Sequence, residues 1–226
     1  MREKIQEAIQ QALDEAPERK FVESIEFSFT IKDVDLKNPA NRIQEEIRLP
    51  NGRGKEISIA MFASGEMATK AKNAGVDVLD PATIEDLGGN RQQARKIAKK
   101  YDFFLSEVPH MGSIGRFLGQ VLGPRGKMPR PVPPVMDVAA LSSGLRNTAI
   151  IRSRDKITFH GPVGSRSQSI DELTENAMAV WNRVMSKLER GHMNIRSCYV
   201  KTSMGPSVKI EVINRFLRQR NGKRTE

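Results

Sequence analysis

Apolar side chains recur at helical spacing in the first sixteen residues (Ile5, Ile9, Leu13), and Pro17 follows as a stop, so the pattern predicts an N-terminal helix. The period then changes to two. Ile25, Phe27, Phe29 and Ile31 alternate with Ser24, Glu26, Ser28 and Thr30, which predicts a strand with one apolar and one hydrophilic face. A polar loop through Asn38-Pro39 leads to a second strand near 42–49, ended by the turn Pro50-Asn51-Gly52.

From Glu56 the style is different. Ile57-Ser58-Ile59-Ala60-Met61-Phe62 is a short, nearly continuous apolar strand, and a helix over about 65–74 follows it. Val76-Asp77-Val78-Leu79 is another strand, with helical segments after it over about 81–99. Tyr101-Asp102-Phe103-Phe104-Leu105 is a third, followed by a helix over about 112–121. Short apolar strands alternating with helices predict parallel βαβ units with helices covering the sheet. A Pro/Gly-rich loop spans 123–134, and a helix near 137–146 and a short strand 148–152 close the region.

The end of the chain returns to the first style. Ile157-Thr158-Phe159 is a strand, and Gly161-Pro162-Val163-Gly164 is expected as a turn. Ser169-Ile170-Asp171-Glu172 has the Ser-x-x-Glu form of a capping box and opens a long amphipathic helix to about Glu189. Residues 195–203 and 207–213 form two strands joined by Met204-Gly205-Pro206, as in a hairpin. The last stretch, 215–226, carries Arg215, Arg218, Arg220, Lys223 and Arg224 and is expected to fray.

Open β with helices, then βαβ, then open β again is the order of an α/β domain inserted into a split α+β domain with an antiparallel sheet. The expected boundaries are 1–64 and 156–226 for the split domain and 65–155 for the insert. The two crossings, near 63–66 and 153–157, set two strands of linker side by side, an arrangement that can act as a hinge.

Charge narrows the function. Lys and Arg outnumber Asp and Glu by 37 to 27, for a formal net charge of +10, which favours polyanionic partners, nucleic acid foremost. Aromatic residues make up only 5%, so base stacking on aromatic platforms is not the expected mode of binding. No apolar run approaches the ~18 residues of a membrane span, so no membrane partner is expected. The polar N-terminus does not read as a signal sequence. Cys198 is the only cysteine, which excludes an intrachain disulfide and a cysteine-based metal site.

Several stretches carry candidate chemistry. The loop Gly123-Pro124-Arg125-Gly126-Lys127-Met128-Pro129-Arg130-Pro131 suggests a phosphate-binding loop at Gly-Lys. However, Met128 stands where Ser or Thr is needed, and Val121 where the first glycine belongs, so nucleoside triphosphate binding is rejected. Arg125, Lys127 and Arg130 fit contact with an RNA backbone, and the same prolines equally fit a rigid solvated connector. Gly112, Gly115 and Gly119 sit at helical spacing and read best as close helix packing. His110, His160 and His192 lack metal-ligand spacing, and no metal or other cofactor is expected. Arg91, Arg95, Lys96, Lys99 and Lys100 crowd one helix, as a solvated face or as a further RNA contact. Ser24 and Glu26 on the first strand share their character with Ser197, Tyr199, Lys201 and Ser203 near the C-terminus. Such a polar face is either an ordinary solvated one or one suited to ribose 2′-OH groups and base edges.

Three stretches together resemble a known family: Lys20-Phe21-Val22-Glu23-Ser24-Ile25-Glu26, Met111-Gly112 through Gly123-Pro124-Arg125-Gly126-Lys127-Met128-Pro129, and Tyr199-Val200-Lys201-Thr202-Ser203-Met204-Gly205-Pro206. The chain is similar, over essentially its whole length, to the family of large-subunit ribosomal protein one, the protein of the mobile stalk beside the tRNA exit site. Lys127-Met128-Pro129 and Lys201-Thr202-Ser203 look like its archaeal members. The resemblance implies a split α+β domain that holds the stalk rRNA and an inserted Rossmann-like domain. By motif, it implies rRNA contacts at Lys20, Phe21, Ser24 and Glu26 on one side and at Ser197, Thr202, Ser203, Met204 and Gly205 on the other. It also implies contact with deacylated exit-site tRNA and repression of translation through a similar fold in the protein's own mRNA. The implied setting is cytoplasmic, on the ribosome, with a monomer when free. Ser203 departs from the family's usual Thr, keeping the hydroxyl with a freer rotamer.

The expectation is thus a two-domain RNA-binding ribosomal protein with no catalytic residues. The rival is a Rossmann-like enzyme acting on a phosphorylated substrate through the Gly126-Lys127 loop and Asp77 or Asp102.

Overall fold

The computed structural model describes residues 1–211. The described residues fold as two compact units: Met1–Lys55 together with residues 147–211, and Glu56–Arg146 between them in sequence.

The first unit opens with α1 (Arg2–Asp14), which buries Ile5, Ala8, Ile9 and Ala12 at the spacing of one helical face. Strand β1 (Ser24–Ile31) alternates half-buried and buried positions along its whole length, as its sequence period requires. It is joined on one side by β8 (Thr158–Ser165) and on the other by β9 (Ile195–Thr202), which pairs in turn with β10 (Ser207–Ile210). All three pairings are antiparallel. The apolar face of this sheet packs against α1 and α7 (Ile170–Lys187), the latter started by the Ser169/Glu172 capping box. Phe27, Phe29, Phe159 and Trp181 form the centre of the core, with Phe29 5.4 Å from Phe159 and 6.2 Å from Trp181 between ring centroids. Cys198 lies in the same core, where burial pushes its thiol up to about 12.

In the second unit, β4 (Asp77–Leu79), β3 (Ile59–Phe62), β5 (Phe103–Glu107) and β6 (Arg130–Val132) form one parallel sheet in that order. The helices α2 (Gly65–Asn73), α3 (Thr83–Gly89), α4 (Arg91–Lys100), α5 (Met111–Leu122) and α6 (Val138–Arg146) lie between or after its strands in the chain. Phe62, Phe104, Ile84, Ile114 and Leu118 share its core. The mixed α+β and parallel α/β architecture is the one expected.

Five local expectations differ from what is observed. Gly161-Pro162-Val163-Gly164 is not a turn but the middle of β8, opposite Phe27, Glu26 and Ile25. Its glycines serve close approach: a Cβ at Gly161 would overlap the Ile151 side chain, and one at Gly164 would overlap Leu173. Pro162 is tolerated because β8 is the last strand of its sheet. The 123–134 loop contains β6, which pairs with β5 and completes the parallel sheet. Strand β7 (Thr148–Arg152) does not close that sheet but pairs antiparallel with β2 (Gln44–Arg48) in the first unit. The units accordingly divide at 55/56 and 146/147, not at 64/65 and 155/156. Finally, Gly112, Gly115 and Gly119 have open space where a Cβ would stand, because α5 packs through Ile114, Leu118, Val121 and Leu122. Helix packing does not explain them. The expected end of the last strand at 212–213 and the basic tail 215–226 lie outside the described residues.

Candidate nucleic-acid interface

Strand β1 is central in its sheet, so its outward residues have neighbours on both sides. Glu26 is registered with Lys201 and Pro162, Ser28 with Tyr199 and His160, and Thr30 with Ser197 and Thr158. Lys201 and Tyr199 are registered in turn with Ser207 and Lys209 on β10. The Thr30 and Thr158 hydroxyls lie 3.3 Å apart. The result is a face of hydroxyls, one carboxylate, one imidazole and two ammonium groups, carried on paired strands. Such a face offers donors and acceptors to 2′-OH groups and base edges, with fewer charges than a surface that reads phosphate alone.

At one end of this face the start of β1 and the end of β9 are tied together. The Ser203 amide donates to the Ser24 carbonyl at 2.9 Å, and the Ser203 hydroxyl donates to the same oxygen at 3.2 Å. The Met204 amide donates to Glu23 Oε1 at 3.0 Å. Glu23 is 1% exposed, while Met204 stands 65% exposed. Gly205 closes the turn, donating to the Thr202 carbonyl at 3.3 Å. A Cβ there would overlap Thr202 Oγ1 and press on Ala16, so this position needs glycine for space.

Beside this junction, Glu18, Arg19, Lys20, Phe21, Val22, Arg166 and Ser167 line an open groove of about 520 Å³. Phe21 and Val22 are exposed at its edge, an apolar shelf among cations. Arg166 Nη1 donates to the Pro17 carbonyl at 3.3 Å and lies 3.7 Å from Glu23 Oε2.

Most residues expected at an RNA site therefore come together. Lys20, Phe21, Ser24, Glu26, Ser203, Met204 and Gly205 cluster around one end of the sheet. Ser197 shares the polar face but sits opposite Thr30, six positions along β1 from Ser24, or about 20 Å. Thr202 does not join the outward group. It is registered with Ile25, has the inward parity of Cys198 and Val200, and is fully buried, with Oγ1 making no hydrogen bond. Its place is under Gly205, not on the surface. Sequence reasoning passed over Glu23 and Arg166. Glu23 carried a readable signal, a carboxylate at the inward parity of an apolar strand; Arg166 carried none.

A family profile described as the ribosomal protein L1p/L10e family matches residues 12–206. The chain belongs to that family. A large ribosomal subunit protein uL1 of Thermoplasma acidophilum is 49% identical over 207 residues, covering 92% of this chain and 95% of the relative. The uL1 protein of Pyrococcus horikoshii is 47% identical, with 93% and 96% covered, and that of Methanothrix thermoacetophila is 47% identical, with 93% and 100% covered. The likeness to archaeal members expected from the Lys127 and Lys201 motifs is thus met.

Membership in the L1p/L10e family makes the chain a ribosomal protein and not an enzyme. The second unit agrees with that assignment. Lys127 Nζ donates to the carbonyls of Ala98 at 3.0 Å and Tyr101 at 2.6 Å, capping the end of α4 where an anion would need it free. Arg125 Nη1 donates to the Val121 carbonyl at 2.8 Å, and the Arg130 guanidinium lies 5.7 Å from the Phe103 ring centroid. Each of these three cations thus has a partner within unit 2. Asp77 accepts from the Tyr101 hydroxyl at 2.8 Å. Lys100 donates to that hydroxyl, which together with Asp77 holds the ammonium above its ordinary pKa. Arg91, Arg95, Lys96 and Lys99 are exposed on α4. Among the described residues no cluster of metal-ligating side chains occurs, and no helix is long and apolar enough to cross a membrane.

Proposed function

We propose that this chain is a structural component of the large ribosomal subunit, in the cytoplasm, that binds a folded segment of the subunit's rRNA through its first unit. The single observation behind this reading is the junction of β1 and β9. A hydroxyl-rich strand face there meets an exposed Phe21, an exposed Met204 and a cationic groove, all anchored to one sheet. Lys20 and Phe21 grip the backbone and a ribose. Ser24, Glu26, Ser203 and the Met204-Gly205 turn read 2′-OH groups and base edges, and Ser197 extends the contact along the sheet. Thr202 supports the turn from beneath.

Two finer roles follow from the same reading. The RNA is that of the mobile stalk, which places the protein where deacylated tRNA leaves the ribosome. A similar RNA fold in the protein's own mRNA would occupy the same face and so repress translation. Chemical footprinting on large-subunit rRNA tests the first role. Protection of one compact segment, lost on Phe21→Ala, is expected, and protection scattered over the subunit would contradict it. Competition between that segment and the mRNA leader for the protein tests the second.

A further inference from the structure

Two parts of the proposed RNA site come from distant stretches of chain: the Met204 turn after β9, and the groove beside Arg166 after β8. One side chain touches both. Glu23 sits at the inward position just before β1, 1% exposed, so its carboxylate has no access to solvent or to RNA. Oε1 accepts the Met204 amide at 3.0 Å. Oε2 has no hydrogen-bond partner and faces Arg166 Nη1 at 3.7 Å. The Glu23 carbonyl also accepts the Arg166 amide at 2.9 Å. A buried carboxylate is costly to keep unless it is paired, and burial makes its attraction to a neighbouring guanidinium strong. An apolar residue would fill the same space without that cost, but would supply neither the acceptor for Met204 nor the charge beside Arg166.

We infer that Glu23 is the positioning residue of the RNA site, fixing the Met204 turn through one oxygen and the Arg166 guanidinium through the other. Arg166, which with Lys20 lines the groove, is thereby held where an RNA backbone would pass. The inference rests on the proposed reading of this face. It adds that a residue which never touches RNA sets the geometry of those that do. Preorganisation of this kind raises affinity by removing the ordering cost of the turn on binding.

The test uses the full chain with three variants, the stalk stem-loop RNA and an unrelated duplex of equal length. Glu23→Gln keeps an acceptor for the Met204 amide. Glu23→Asp keeps the charge but is one methylene shorter and withdraws from it, and Glu23→Ala removes both functions. Hydrogen exchange of the Met204 amide reads the turn directly, and thermal melts report the folded fraction. Glu23→Gln is expected to keep Met204 protection but, having lost the charge beside Arg166, to bind the stem-loop about three- to fivefold more weakly than the parent. Glu23→Asp and Glu23→Ala are expected to lose that protection and to weaken stem-loop binding at least tenfold, with duplex binding unchanged. Stem-loop affinity unaltered in Glu23→Asp, or lost equally in Glu23→Gln and Glu23→Asp, overturns the inference, even if Glu23→Ala fails to fold. If the parent protein itself does not prefer the stem-loop, the proposed function fails instead.

Discussion

Ser203 gives both of its donors to one acceptor, the carbonyl of Ser24, at 2.9 Å from its amide and 3.2 Å from its hydroxyl. The hydroxyl hydrogen is therefore spent inside the protein, and its lone pairs are what remain for a ligand. In the proposed RNA interface Ser203 would act as an acceptor, and a ribose 2′-OH is the natural donor.

Ser203→Ala follows directly from this arrangement. The Ser24 carbonyl keeps the Ser203 amide, so the melting temperature should hardly move. A 2′-OH left without its partner in a dry contact costs about 1–3 kcal/mol, or roughly five- to a hundredfold in affinity. Ser203→Thr restores the oxygen and should restore binding. Titrations of both variants against the stem-loop decide it, and equal affinity for parent and Ser203→Ala would remove Ser203 from the interface.

Gly205 answers to a different constraint. Its added Cβ would strike Thr202 Oγ1, on a fully buried side chain. Gly205→Ala should displace the Met204 turn and weaken stem-loop binding by about tenfold or more, near 1.4 kcal/mol. Thr202→Ala in the same chain removes the struck atom and should recover part of the loss. If the double variant binds worse than Gly205→Ala alone, the turn is not set by this contact.

Lys127 should matter to stability and not to rRNA. Lys127→Met leaves the Ala98 and Tyr101 carbonyls without their charged donor, at a cost of about 1–3 kcal/mol. A lower melting transition with unchanged stem-loop affinity is expected. The opposite pattern would return the Gly126-Lys127 loop to the RNA site.

Removing residues 56–146 and joining Lys55 to Asn147 through a short Gly-rich linker should leave stem-loop affinity within a few-fold of the parent. The clustered site residues all lie in the first unit. A folded product that no longer binds would place essential contacts in the second unit.

The strands that alternate or run apolar for several residues were legible because a period of two or a short apolar run is a local property. The outward parity of Glu26, Ser28, Ser197 and Lys201 could be counted off directly, and so could the inward parity of Thr202, which the family motif alone did not convey. Gly161-Pro162-Val163-Gly164 was not legible. Its glycines answer to Ile151 and Leu173, partners invisible in the tetrapeptide itself, and turn chemistry was the local reading. The partners of Lys127 were not legible for a related reason: only the fold shows two carbonyls at its ammonium. The Glu23–Met204 bond spans 181 residues, and no pattern in either segment announces the other.

Salt dependence tests the central claim most directly. Binding carried by phosphate contacts alone falls with log salt at a slope of about −0.7 to −0.9 per neutralised phosphate, whatever the sequence. A site built on hydroxyls, Glu26 and a braced turn adds contacts that salt does not screen. The stalk stem-loop and an unrelated duplex of equal length should be titrated in parallel between about 50 and 200 mM salt, a range that removes most nonspecific binding. Tighter stem-loop binding with a shallower slope, and a gap that widens as salt rises, is the predicted result. Equal affinities with equal slopes would contradict it, leaving only a basic protein attracted to any RNA.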